Sequence, residues 1–188
     1  MLAPHLPRLW ARYPSLRVDI SSQGEVVSLA DREADLAVRM RRPEGASLLA
    51  KKLPTLKLGL FASREYLAGR NPAMLDLAAE RLIVYDDSYG RLPELDWLSL
   101  FDLNRAVIAR TRSTRGLLNA AIAGAGVVML PTLFAHLAGL IEVASPAPLK
   151  PRIPWLVAHR DVRKLPEVAA VHAWVISAFR LVAERGRN

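Results

Sequence analysis

Apolar positions change period several times along the chain, and each change marks an element. Leu2, Leu6, Leu9, Trp10 and Tyr13 recur at helical spacing and predict an amphipathic helix over residues 4–13. Pro4 and Pro7 suit its first turn, and Pro14 stops it. LRVDIS, residues 16–21, alternates as a strand does. SQGEVVSLADREA, residues 22–34, carries Val26, Val27, Leu29 and Ala30 between polar residues and predicts a short helix. DLAVRM, 35–40, is the near-continuous apolar run of a strand covered on both faces. A loop with Pro43 and Gly45 follows, then a strand over 56–63. Further along, SREYLAGR (63–70) and PAMLDLAAE (72–80) predict short helices, and RLIVYDD (81–87) and RAVIART (105–111) predict strands. Residues 88–104 are irregular, with a short apolar piece from Trp97 to Phe101. A proline-rich connector, 146–154, leads to a strand over 155–160 and a last helix over 166–184. Alternating helices and strands argue for a parallel α/β sheet.

One stretch tests this reading. From Gly116 to Ile141 the chain holds no charged residue over 26 positions, enough to cross a bilayer. Glycine and proline divide it instead. Ser113 or Thr114 can cap a helix ending at Ala123, with Gly124 as its C′ glycine. Gly126 to Leu130 is a short buried strand, and Pro131 opens a second helix that ends at Gly139. Breakers at that spacing argue against a membrane span. A nucleotide loop fails on polarity, because it requires the order strand, glycines, helix. Here the order is helix, glycines, strand, and AGAGV lacks both the third glycine of GxGxxG and the GK[ST] of a P-loop.

The 188 residues carry no cysteine, so disulfides and thiolate chemistry are excluded, and the expected location is cytoplasmic. The first 14 residues do not read as a signal peptide, because Pro4, Pro7, Arg8 and Arg12 interrupt any apolar core. Mean hydropathy is only +0.15. The net charge of +8 is spread mostly over single arginines, with one dense cluster at Arg39-Met40-Arg41-Arg42 and a pair at Lys51-Lys52. His5, His136, His159 and His172 lack metal-ligand spacing, and GxSxG and HExxH are absent, so no cofactor, metal or catalysis is expected. Asp86 and Asp87 are adjacent on an extended chain and point to opposite faces.

Ligands of open α/β sheets sit beyond the carboxyl ends of strands. Ser22, Arg39, Asp87 and Ser113 hold such positions. Ser113 and Thr114 also open a helix whose amides and dipole favour an anion. A cap without a ligand accounts for them too, as a solvated or internally paired arginine does for Arg39.

An ordered set of segments resembles the effector-binding domain of LysR-type transcriptional regulators. The set is LPRLWARYPSLRVDISSQGEVVSLADREADLAVRM, LGLFAS followed by REYLA, LDLAAERLIVYD, AAIAGAGVVMLP, and the closing strand and helix. The resemblance covers nearly the whole chain and implies a type II periplasmic-binding-protein fold. Two α/β lobes, 1–60 plus 156–188 and 61–155, would be joined by crossover strands near 56–62 and 154–159, with a small effector in the cleft. By position it adds Ser21, Ser22, Asp86, Asp87 and Ser88 as effector contacts. It also implies a homodimer in which the first helix, 4–13, meets helix 114–123 of a second copy. The family's winged helix-turn-helix and the domain's first strand do not precede helix 4–13 in this sequence, so DNA contact is expected only through such an absent N-terminal domain. A solute-binding protein of a transport system is the alternative on the same fold.

Overall fold

The sheets differ from the expected parallel arrangement, and the reason lies in where the chain returns. In the computed structural model, which describes residues 2–21, 34–87 and 92–185, the chain forms two units. One comprises Met1–Leu56 and Arg152–Asn188, the other Lys57–Pro151.

In the first unit, β1 (Leu36–Arg39) and β2 (Leu48–Lys52) do not pair with each other. Strand β8 (Trp155–His159), which arrives after the whole second unit, lies between them and runs antiparallel to both. The ladder parity is fixed at its ends. The Arg160 amide donates to the Ser47 carbonyl and the Leu53 amide to the Pro154 carbonyl, each at 2.9 Å. Even-numbered amides of β8 therefore face β2, and odd-numbered ones face β1.

The sheet's core face is closed by α1 (Leu6–Arg12) and α6 (Pro166–Arg185). Leu9, Leu53, Leu156, Trp174, Val175 and Phe179 form one buried cluster there. The Trp174 indole N–H donates to the His5 carbonyl at 2.9 Å and ties the two helices. By length and composition Pro166–Glu184 could cross a membrane. Here its apolar stripe, from Val168 through Val175 to Val182, is the buried face against the sheet. His172 on this helix has its pKa lowered, chiefly by desolvation and then by the charges of Arg163 and Lys51.

Two expectations for this unit are corrected. The first helix is a 3-10 turn, Ala3–His5, followed by α1, so it ends at Arg12. Residues 16–20 form no strand. Leu16 and Val18 do turn inward onto the core cluster, as the alternation implied, but no neighbouring strand offers them a ladder. β2 was read as loop. It is a sheet edge with Leu49, Ala50, Lys51 and Lys52 exposed, so it lacks the apolar face that marks a strand. The helix expected over 22–34 falls mostly outside the described residues.

The second unit is a five-stranded mixed sheet in the order β5-β4-β6-β3-β7. Its strands are β3 (Leu58–Ala62), β4 (Leu82–Tyr85), β5 (Val107–Thr111), β6 (Val127–Pro131) and β7 (Ile141–Val143). β4 runs parallel to β5 and β6, whereas β3 runs antiparallel to β6 and β7. Helices α2 (Arg64–Leu67), α3 (Pro93–Leu100), α4 (Thr114–Ile122) and α5 (Thr132–Leu137) complete it. α3 replaces part of the stretch read as irregular. Pro93 at its first position starts it without a polar cap, and Trp97 and Leu98 bury one side. The helix expected over 72–80 is reduced to the 3-10 turn Leu77–Ala79. Thr132, not Pro131, begins α5; Pro131 ends β6.

The uncharged run is thus α4, β6 and α5 in succession, each short. Gly124 has φ +71° and closes α4 in a Schellman motif: its amide reaches the Ala121 carbonyl, and that of Ala125 reaches Ala120, both at 3.0 Å. Gly126 serves a different need. A Cβ there would stand 2.3 Å from the Arg81 carbonyl oxygen, where β6 enters the sheet beside β4. Gly126→Ala should therefore destabilise the second unit by about 1–3 kcal/mol, through backbone displacement at this crossing. Urea unfolding checks this, and an unchanged midpoint would contradict it.

Candidate functional site

In a parallel pair, both carboxyl ends lie on the same edge of the sheet. β4 and β5 are such a pair, and the helix that follows β5 starts there. The Asp86 amide donates to the Thr111 carbonyl at 3.1 Å and holds the two ends in register. Beyond them the chain sets out a row of polar groups. Ser113 is the N-cap of α4, its hydroxyl accepting the Gly116 amide at 3.2 Å. The Ser113 amide in turn donates to the Thr111 hydroxyl at 3.2 Å. The Thr114 hydroxyl lies 2.7 Å from the Tyr85 hydroxyl. The Arg112 guanidinium donates to the Asp86 carboxylate at 3.1 Å.

This arrangement suits a small anion. α4 is a nine-residue helix, and the first two amides, of Thr114 and Arg115, have no preceding turn of helix to receive them. Its dipole is positive at that end. Asp86 would repel an anion if it stood alone, but the bond to Arg112 offsets its charge. Among the described residues no group of His, Asp and Glu could hold a metal ion.

The residues expected from the sequence divide between the units. Asp86, Asp87, Ser113 and Thr114 belong to the second, where Asp86, Ser113 and Thr114 fall within the hydrogen-bonded set just described. Asp87 is exposed beside it. Ser21 and Arg39 belong to the first: Ser21 is exposed and follows no strand, while Arg39 is the last residue of β1. Ser22 and Ser88 lie outside the described residues. Tyr85, Thr111 and Arg112 were missed. Tyr85 is the aromatic that ends an otherwise aliphatic strand, and its hydroxyl was the available signal. Arg112 stands just before the cap, in TRSTR.

A second polar cluster in this unit is internally saturated. The buried Glu80 carboxylate accepts from the Tyr66 hydroxyl at 2.6 Å and from Arg70. The Tyr66 hydroxyl accepts the Arg81 amide at 3.0 Å, and both arginines lie against the Tyr66 ring. The Glu80 hydrogen bond raises the pKa of Arg70 above its ordinary value. These groups border a depression of about 480 Å³. They tie α2 to the start of β4 and leave no carboxylate oxygen of Glu80 unengaged.

The family profile described as LysR substrate binding domain matches residues 1–180. An uncharacterised HTH-type transcriptional regulator of Haemophilus influenzae is 27% identical over 136 residues, 69% of this chain and 46% of that protein. An HTH-type transcriptional repressor of Pseudomonas aeruginosa is 34% identical over 68 residues, 36% of this chain and 22% of its own length. The chain thus spans less than half of these relatives. Among solved structures, the regulatory domain of CrgA, a LysR-type transcriptional regulator from Neisseria meningitidis, is similar with a TM-score of 0.78 at 19% identity, covering 95% of this chain and 92% of that one. The effector domain of the regulator AmpR of Pseudomonas aeruginosa gives 0.75 at 21% identity, covering 99% and 91%. These likenesses show the fold: a type II periplasmic-binding-protein-like α/β architecture.

Proposed function

Because the chain belongs to the LysR substrate-binding domain family, we propose that it senses a small anionic effector for a bacterial transcriptional regulator. The observation that carries the reading is the polar row beyond β4 and β5. A helix N-terminus, the Tyr85–Thr114 hydroxyl pair and the Ser113 cap converge there, with Arg112 held by Asp86. Asp87 and Ser88 extend that row in sequence; Ser21, Ser22 and Arg39, in the first unit, are further candidate effector contacts by their place in the sequence. The regulator reaches DNA through a separate N-terminal domain and works in the cytoplasm. No observation favours the transport alternative.

The same reading includes a homodimer through helices 4–13 and 114–123. Trp10 and Tyr13 on the first helical segment are 43% and 37% exposed, and Ile122 on α4 is 49% exposed. Large apolar side chains on both helices are what a self-complementary two-fold contact would cover.

Thermal-shift screening of small organic acids should find a stabilising compound. Thr114→Val keeps the side chain's shape but removes the hydroxyl paired with Tyr85, and should weaken that compound about tenfold. An unchanged response in Thr114→Val and Ser113→Ala would remove the site. Light scattering at micromolar concentration should give twice the 20.8 kDa chain mass, reduced to one chain by Ile122→Asp; a monomer in the unaltered protein would contradict the dimer.

A further inference from the structure

The chain over residues 56–62 is hydrogen-bonded along one edge except at a single residue. The Thr132 amide donates to the Lys57 carbonyl at 3.0 Å, so odd-numbered residues of this stretch turn their backbone groups toward β6. Even-numbered residues turn theirs to the other edge. There Leu56 exchanges both of its bonds with Arg152, each at 2.9 Å. Leu60 and Ala62 stand opposite Val143 and Ile141 in the β7 ladder. Leu58 lies between these partners and faces the same edge. Among the described residues, nothing bonds its N–H or its C=O.

The gap arises because β7 leaves the sheet early. Continued in register, β7 would set Ser145 opposite Leu58. Instead the Ala144 amide turns away to the Pro72 carbonyl at 3.0 Å, and the Ser145 hydroxyl donates to the Ala147 carbonyl at 2.8 Å. The chain that follows, PAPLKP, holds three prolines, which have no N–H to give. What remains is a depression of about 550 Å³ within the second unit, a size common for small-ligand sites. Its inner wall is apolar: Leu60, Val143 and Leu149 are buried there and Leu58 is half-buried. Lys57 is the one cation on its lining, and among the described residues it pairs with no acid. The Glu142 side chain points to the opposite face of the sheet with its cross-strand partner Phe61, and lies 3.9 Å from His136.

We propose that this notch binds a short extended peptide with an apolar side chain and a free carboxylate. The N–H and C=O of one residue, side by side on a strand edge, are matched by the C=O and N–H of one extended residue, as in strand addition. A carboxylate alone would meet the Leu58 N–H but be repelled by the C=O beside it. A ligand in the path that β7 vacates runs antiparallel to β3, so its C-terminal side lies toward Lys57. The Lys57 ammonium is then placed to meet the terminal carboxylate. The side chain of the paired residue shares the face of Leu58 and packs over Leu60, Val143 and Leu149. The site uses the β3–β7 edge and does not rest on the reading of the β4–β5 row, which stands or falls separately.

Titration of the whole chain with N-acetyl-leucyl-glycine, followed by calorimetry and by amide exchange in NMR, tests this. Without the peptide, the Leu58 amide should exchange quickly while those of Leu60 and Ala62 exchange slowly; with it, Leu58 should slow as well. The analogue methylated on the leucine nitrogen lacks the donor and should bind about tenfold more weakly. Lys57→Ala, at an exposed position, should weaken binding about threefold. Thr114→Val should leave it unchanged, which separates this site from the β4–β5 row. The proposal is overturned if the peptide does not bind up to millimolar concentration, if the methylated analogue binds equally well, or if the Leu58 amide is already as protected as Leu60 in the free chain.

Discussion

The first unit depends on a strand that the chain supplies late. β1 and β2 have no ladder with each other; each is hydrogen-bonded to β8, which follows β2 only after the whole second unit has been made. Backbone amides and carbonyls left unpaired in a buried sheet are costly, so β1 and β2 are stable as a sheet only when β8 lies between them. The core repeats the dependence, since Leu9 and Leu53 from the first passage pack with Leu156, Trp174 and Phe179 from the second. Non-local pairing of this kind is slow to form, because loop closure precedes the contacts that reward it. It also explains why the sheet is antiparallel: a chain returning along the crossover enters from the edge where β2 left.

The second unit is continuous in sequence and solves a different problem. Its parallel strands β4 and β5 end on one edge, and the connection from β5 to α4 is short enough that the helix begins beside both. Gly126 lets β6 approach β4 closely on the other side. That approach, with the Schellman closure of α4, fixes the helix against the sheet and so fixes the row of hydroxyls at its start. The groups of the row are held by bonds to one another, such as Ser113 to Gly116 and Tyr85 to Thr114, rather than by exposure on a long loop. A site built this way loses little freedom when a ligand arrives.

What the sequence made legible follows from range. Local signals were readable: the Gly124 closure, the strand β6 behind Gly126, the cap at Ser113, and the apolar stripe of α6 each depend on neighbours within a few residues. The family could be recognised because those local signals occur in a particular order. Pairing partners were not readable. Residues 16–20 alternate inward and outward without joining a ladder, because alternation reports burial and says nothing of a neighbour. β2 lacks an apolar face because it is an edge, and α3 lacks a polar cap because Pro93 starts it. At the site, Ser113 and Thr114 were found through helix capping, Asp86 through position. Tyr85 and Arg112 were missed, since their roles come from contacts with Thr114 and Asp86, 29 and 26 residues away.

The insertion of β8 between β1 and β2 is the claim on which the first unit stands, and native-state hydrogen exchange reads it directly. A central antiparallel strand gives alternate amides to its two neighbours, so every one is bonded; an edge strand leaves every second amide to water. The amides of Trp155, Val157 and His159 face β1, and those of Leu156, Ala158 and Arg160 face β2. All six should exchange slowly, with no period-two pattern. Slow exchange at Leu156 and Ala158 together with fast exchange at Val157 would make β8 an edge strand and contradict the account.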